Sequence, residues 1–155
     1  MKKIIVMLAV CFATAMAFAA DSTNKSTFEL RLVAAAPSAD TEPMTIEYKG
    51  RPAETVNVQK ANILDQSAIK SATVVKNERG DPALEITLTE AGRQRFAEFT
   101  RQNTGKRIAM IINGRACSAP VIQTPITDGK IRISGNFTLE EANDLIRGIN
   151  DTWAK

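Results

Sequence analysis

Two short runs carry residue types at a spacing that chemistry could use. Ser67-Ala68-Ile69-Lys70 fits the Ser-x-x-Lys pattern, in which a lysine amine lowers the cost of removing the serine proton. The Ser-Asp-Asn and Lys-Thr-Gly companions of that pattern are missing, and 155 residues are too few to build that active site. The pair therefore reads as an exposed turn. Thr104-Gly105-Lys106 echoes the end of a phosphate-binding loop. It lacks the leading glycine and follows a helical stretch instead of opening one, so its amides have no reason to converge on a phosphate.

The remaining inventory is sparse. There is no histidine, which removes the commonest general base, the commonest metal ligand and every imidazole-dependent triad. Without histidine, and with only Cys11 and Cys117, the usual zinc sites cannot be assembled. Asp65, Asp81 and Asp128 are too far apart in sequence to form a calcium loop. No catalytic residue, cofactor-binding residue or metal ligand is singled out, so no enzyme activity and no cofactor are expected. A small hydrolase using two carboxylates brought together in space stays open. Arg93, Arg95, Arg101, Lys106 and Arg107 cluster in sequence. They read as a solvated helix face running into a strand, not as a nucleic-acid footprint.

The elements that would position these residues alternate between period-2 and helical patterns. Phe28-Glu29-Leu30-Arg31-Leu32 and Met44-Thr45-Ile46-Glu47-Tyr48 alternate as half-buried strands. Ala36–Pro43 reads as a loop, Lys49-Gly50-Arg51-Pro52 as a turn, and Val56 and Val58 as a short strand. Asp65 caps one helical turn to Ile69. Ala72–Lys76 and Leu84–Leu88 are strands around a Glu78–Pro82 turn. Thr89 opens a helix with Gly92, Phe96 and Phe99 on one stripe, stopping near Gly105. Ile108–Ile112 is apolar throughout, as in a strand covered on both faces. Asn113-Gly114 is a hairpin signal, and Arg115–Ile122 returns, with Pro120 pushing it to an edge or bulge. Lys130–Ser134 is a further strand. Thr138-Leu139-Glu140-Glu141 is a capping box opening a helix whose stripe is Leu139, Ala142, Leu145, Ile146, Ile149 and Trp153. The fold class expected is α+β, a mostly antiparallel sheet with two longer helices packed on one face.

The N-terminus is of another kind. Lys2 and Lys3 precede an apolar run, Ile4–Phe18, and Ala17-Phe18-Ala19 places small residues where a signal peptidase reads. Residues 1–19 are a secretory signal peptide, 20–26 a flexible lead-in, and 27–155 one domain. Val10 before Cys11 stands where a lipoprotein box wants a small residue, which argues against a lipid anchor. Cleavage loses Lys2 and Lys3, taking the formal net charge from +3 to +1, and leaves no integral membrane segment. The expected location is the periplasm. Only Cys117 then remains, so no intramolecular disulfide can form. Its apolar strand makes it a buried small hydrophobe.

From about residue 72 the chain resembles the head subdomain of the first periplasmic domain of the SecD family, membrane subunits that assist bacterial protein export. The matching stretches are Gly80-Asp81-Pro82, Thr89-Glu90-Ala91-Gly92 with Phe96 and Thr100, and Gly105-Lys106 with the strand to Asn113-Gly114. Ser118-Ala119-Pro120-Val121-Ile122 and Ser134-Gly135-Asn136-Phe137-Thr138, with Glu141-Ala142 and Leu145, complete them. Phe28–Val33 resembles the strand that opens such heads. Turns and caps carry this likeness, so it bears on fold more than on function. SecD continues into a base subdomain and transmembrane helices, whereas this sequence ends at Lys155. The resemblance thus implies a detached head without a proton path.

That implication gives a non-catalytic periplasmic binding module contacting unfolded or exported polypeptides, in association with the export machinery. Its partner is protein or extended polypeptide, bound at a sheet edge around Arg115–Ile122. The alternative is a dedicated subunit, inhibitor or adaptor for one folded partner. Trp153 would then be either its anchor or a cap on the core.

Overall fold

The computed structural model describes residues 26–151. The expected signal peptide, all of the expected lead-in but Ser26, and Trp153 lie outside the described residues. Ser26 itself is buried.

Eight strands and two helices follow in chain order. β1 is Phe28–Ala34, β2 Thr41–Tyr48 and β3 Arg51–Gln59. After a single 3-10 turn, Gln66–Ala68, come β4 Ile69–Lys76 and β5 Pro82–Leu88. The helix α1 is Glu90–Gln102. β6 Ile108–Ile112, β7 Arg115–Ser118 and β8 Lys130–Ser134 precede α2, Leu139–Asn150. The α+β class holds, and every strand pairing among the described strands is antiparallel. The sheet is divided in two, however: a five-stranded one in the order β2-β3-β1-β6-β7 and a three-stranded one in the order β4-β5-β8. Both helices lie against the three-stranded sheet, α2 on β4 and β5 and α1 on β5 and the 3-10 turn.

The five all-apolar residues of β6 explain the layering. Ile108, Met110 and Ile112 face the main core, which gathers Phe28, Leu30, Leu84, Ile86, Phe96, Ile131, Ile133 and Ile149 from both sheets and both helices. Ala109 and Ile111 face a second, smaller core with Ile46, Val56, Val58, Ala116 and Ala119. A strand with period 2 can be apolar at every position only if both of its faces are covered. The second face is covered because the five-stranded sheet curls, bringing the β2–β3 hairpin over β6 and β7. β1 pairs with β3 only at Val33–Val58 and Ala34–Asn57, and β2, at one edge of the sheet, comes close to β7 at the other.

Some local expectations change. β2 begins at Thr41 and carries Pro43 inside it, opposite Asn57. An edge strand tolerates a missing N–H. β3 is a full nine-residue strand that includes Pro52. β7 ends at Ser118, although Ile122 N–H still bonds Lys106 O at 2.8 Å. Leu139, expected on the buried stripe of α2, is 61% exposed. It is the first helical residue, and the core begins only at Ala142. The capping box is complete: Thr138 Oγ1 accepts from Glu141 N–H at 3.1 Å and Glu141 Oε2 from Thr138 N–H at 2.7 Å.

Candidate functional site

The alternating antiparallel pairings make β2 and β7 run parallel, so their C-terminal ends lie at the same end of the molecule. There they meet the end of β8 and the turn between β4 and β5. Together they enclose an open cleft of about 860 Å³, lined by Glu47–Arg51 and Glu54, Asn77–Arg79, Arg107, Ser118–Val121, Arg132 and Ser134–Asn136.

A charged cluster forms one wall. Arg107, just before β6, holds Glu54 of β3 through two bonds, Nη1 to Oε1 at 2.5 Å and Nη2 to Oε2 at 2.9 Å. Its Nε donates to Ala119 O at 2.9 Å. Tyr48 donates its hydroxyl to Glu54 at 3.0 Å, and the Arg51 guanidinium lies 3.3 Å over the Tyr48 ring centroid. The Arg107 hydrogen bonds, helped by Tyr48 and opposed by partial burial, hold the Glu54 carboxyl at about 2. Burial and the neighbouring Glu54 push the Tyr48 phenol up. Glu54 is thus a fixed anion and has no proton to give at neutral pH. At the tip of the hairpin, Lys49 reaches Asp81 at 2.9 Å.

The other wall is the segment Arg115–Ile122. Ala116, Cys117, Ala119 and Ile122 are buried, whereas Pro120 is exposed and Val121 is 49% exposed. β7 is the edge strand the sequence suggested, but it offers little to an added strand at Ala119–Pro120. The Ala119 carbonyl is taken by Arg107, and Pro120 has no N–H while its carbonyl accepts from Ile108 at 3.0 Å. This stretch presents a cleft wall with an apolar side chain, Val121, on it. β8 is the edge of the other sheet, and its Lys130 and Arg132 both bond Glu85.

The residues with possible chemistry do not converge. Ser67 bonds Asp65, not Lys70: its hydroxyl lies 2.6 Å from the Asp65 carboxylate, which also caps the 3-10 turn. Asp81 pairs with Lys49, and Asp128 accepts from Lys130 N–H at 3.0 Å. Among the described residues no three Cys, Asp or Glu side chains come together as a metal site. Cys117 borders a second cavity of about 300 Å³ with Ser26, Arg115, Phe137 and Glu141. Burial pushes its thiol up to about 11, so it is a packed apolar group and not a nucleophile. The basic cluster disperses too. Arg93 bonds Glu90 and Thr127 O, Arg101 bonds Glu98, Lys106 bonds Asn103 and Arg107 bonds Glu54.

The cleft escaped the sequence reading because Arg107 and Glu54 are 53 positions apart. The only local trace of it is the alternation in β2 and β3, which puts Tyr48 and Glu54 near one hairpin tip.

The match to known proteins agrees with this architecture. The family model for the SecDF P1 head subdomain matches residues 41–150. The protein translocase subunit SecD of Sebaldella termitidis is 47% identical over 83 residues, 54% of this chain and 20% of that one. The SecD of Magnetococcus marinus is 36% identical over 111 residues, 69% of this chain and 21% of that one. The chain therefore spans about a fifth of the length of these relatives. A solved structure of SecDF, described as a membrane component that enhances protein export, overlays with a TM-score of 0.64 at 25% identity. It covers 81% of this chain and 62% of that one. A crystal structure of SecDF in a super-membrane-facing form gives 0.65 at 25% identity, covering 80% of this chain and 18% of that one.

Proposed function

The chain belongs to the family of SecDF P1 head subdomains, and from that premise we propose that it is a non-catalytic periplasmic module that contacts extended polypeptide during protein export. The cleft at the shared end of β2, β7 and β8 is the contact site. The observation that carries the reading is the composition of that cleft. It is open, with a volume of about 860 Å³, it carries one exposed large aliphatic side chain, Val121, and of its charges Glu54 and Arg107 hold each other while Lys49 and Arg132 are paired with Asp81 and Glu85. A wall of that kind holds a chain through shape and backbone contacts and selects weakly among sequences. Weak selection suits a partner that must handle many exported proteins. The Lys2–Ala19 pattern supports export of the chain itself.

The test is site-specific photo-crosslinking in living cells, with the photoreactive residue at Val121 and at Arg51. Thr73, exposed on β4 and not part of the cleft lining, is the control. The expected result is capture of several unrelated exported proteins, or of translocon subunits, at Val121 and Arg51 but not at Thr73. Capture no greater at the cleft than at Thr73 refutes the reading. One folded partner captured at every cleft position replaces it with the dedicated interaction protein.

A further inference from the structure

The two cores divide the molecule unequally. The main core holds twenty buried residues, including Phe28, Phe96 and most of the leucines and isoleucines. The second holds seven, three of which are the alanines Ala109, Ala116 and Ala119. Everything that fastens the β2–β3 hairpin to the rest passes over or around that small core. Its backbone is joined to the body by two residue pairs on β1, against five between β1 and β6 and seven between β4 and β5. The chain enters and leaves it through irregular segments, residues 35–40 and 60–63. Three ion pairs do the remaining work: Arg31 with Glu42, Lys49 with Asp81 and Arg107 with Glu54. The last is bidentate and ties the hairpin near its tip to the body.

We propose that the β2–β3 hairpin is a flap, clamped by Arg107 on Glu54, that lifts from the second core and bares an apolar strip beside the cleft. Hinged at residues 35–40 and 60–63, it keeps its own ladder of hydrogen bonds as it moves. It gives up only the β1 pairs, the ion pairs and a thin apolar contact. Segments with few buried apolar contacts open at a lower free energy than the whole fold. Lifting separates Ile46, Val56 and Val58 from Ala109, Ile111 and Ala116, and moves the Glu47–Arg51 wall of the cleft with them. An extended polypeptide then gains a place for apolar side chains that the closed cleft does not give. That regulatory role rests on the docking reading above; the opening itself does not.

Thiol labelling of Ala109→Cys in the full chain tests it with no polypeptide present, so the flap and the docking site can fail separately. Position 109 faces the second core, and Cys117, facing the main core, reports from the other side. The two lie in different tryptic peptides, separated at Arg115, so mass spectrometry reads them in one sample. The expected result is labelling at position 109 at least about tenfold faster than global unfolding measured by circular dichroism in the same buffer. Arg107→Gln should speed that labelling about fivefold, the equivalent of losing a partly exposed ion pair, and leave Cys117 unchanged. Labelling at position 109 only at the rate of global unfolding, or unaffected by Arg107→Gln, overturns the proposal. Should Ala109→Cys not fold, Ala116→Cys combined with Cys117→Ser reads the same face from β7.

Discussion

Replacing Gly92 by alanine sets two ordinary rules against each other, and the structure decides between them. Gly92 is the third residue of α1, and alanine there gains about 1 kcal/mol of helix propensity. A Cβ built on Gly92, however, would stand 2.6 Å from the backbone carbonyl oxygen of Ala68 and 3.0 Å from the Ala68 Cβ. The obstacle is backbone, and it is not a flexible tip that can swing away. The same carbonyl accepts from Thr89 N–H at 2.8 Å, and Thr89 Oγ1 caps α1 by accepting from Gly92 N–H at 3.1 Å. Making room means sliding the first turn of α1 away from the 3-10 turn. Overpacking of this kind costs about 1–3 kcal/mol, and strain on the cap and on the Thr89 bond adds about 1 kcal/mol. The net expectation is a loss of about 1–3 kcal/mol. In a domain of this size that lowers the thermal midpoint by about 3–15 °C. Thermal unfolding followed by circular dichroism, with a urea titration beside it, measures it. A midpoint equal to or above the wild type would show that α1 does not dock on Ala68 as described.

Thr138→Ala removes the acceptor for Glu141 N–H at the start of α2 and should cost about 1 kcal/mol in urea unfolding. Glu54 should titrate near 2 by NMR, and Arg107→Gln should move it back toward the ordinary carboxylate range. Because its folded pKa lies below the unfolded one, its stabilising contribution is present at neutral pH and fades only as pH falls from about 4.5 toward about 2. The clamp, with Arg107, Tyr48 and Arg51 around that carboxylate, should therefore be indifferent to pH between about 5 and 9. Native Cys117, its thiol at about 11, should react with a maleimide at pH 8 far more slowly than the same cysteine in urea-unfolded protein. Leu139→Ser should leave stability within about 0.5 kcal/mol, whereas Leu84→Ala, at a fully buried position, should cost about 2–5 kcal/mol.

What could be read from the residues was what is local. Asn113 and Gly114 both take positive φ, 51° and 72°, as a tight hairpin of that pair requires. Thr89, Thr138 and Asp65 cap where their types and spacing place them. The unbroken apolar run of β6 announced that both of its faces are covered, but not by what. The two sheets, and the hairpin folded over the second face, depend on pairings such as Val33–Val58 that leave no periodic mark. Pro43 and Pro52 signal loop by composition, yet both sit in strands, because edge position and long-range packing override local preference. The cleft was least legible, since its walls come from five separate stretches of chain. The edge at Arg115–Ile122 is legible from Pro120 and the hairpin signal before it, whereas the Arg107 bond that closes part of it joins residues 12 positions apart and leaves no local mark.

The central place of β1 in the five-stranded sheet bears on how the chain reaches its fold. β1 is flanked by β3 and β6, and the bond between Thr27 N–H and Asn113 Oδ1 at its N-terminal end joins residues 86 positions apart. A chain emerging N-terminus first presents β1 long before β6 exists to pair with it. Until then a strand with one apolar face and an open ladder is exposed to every neighbouring chain. Closure across so long a loop also belongs to the slow class of folding events, since the entropy of the loop is spent before the contact rewards it. The β2–β3 hairpin, by contrast, closes from local contacts on a timescale of about 1–10 μs. The order of contacts thus runs from the local β2–β3 hairpin to the long-range closure of β1 on β6, and the interval between the two is the time for which the edge of β1 stays open.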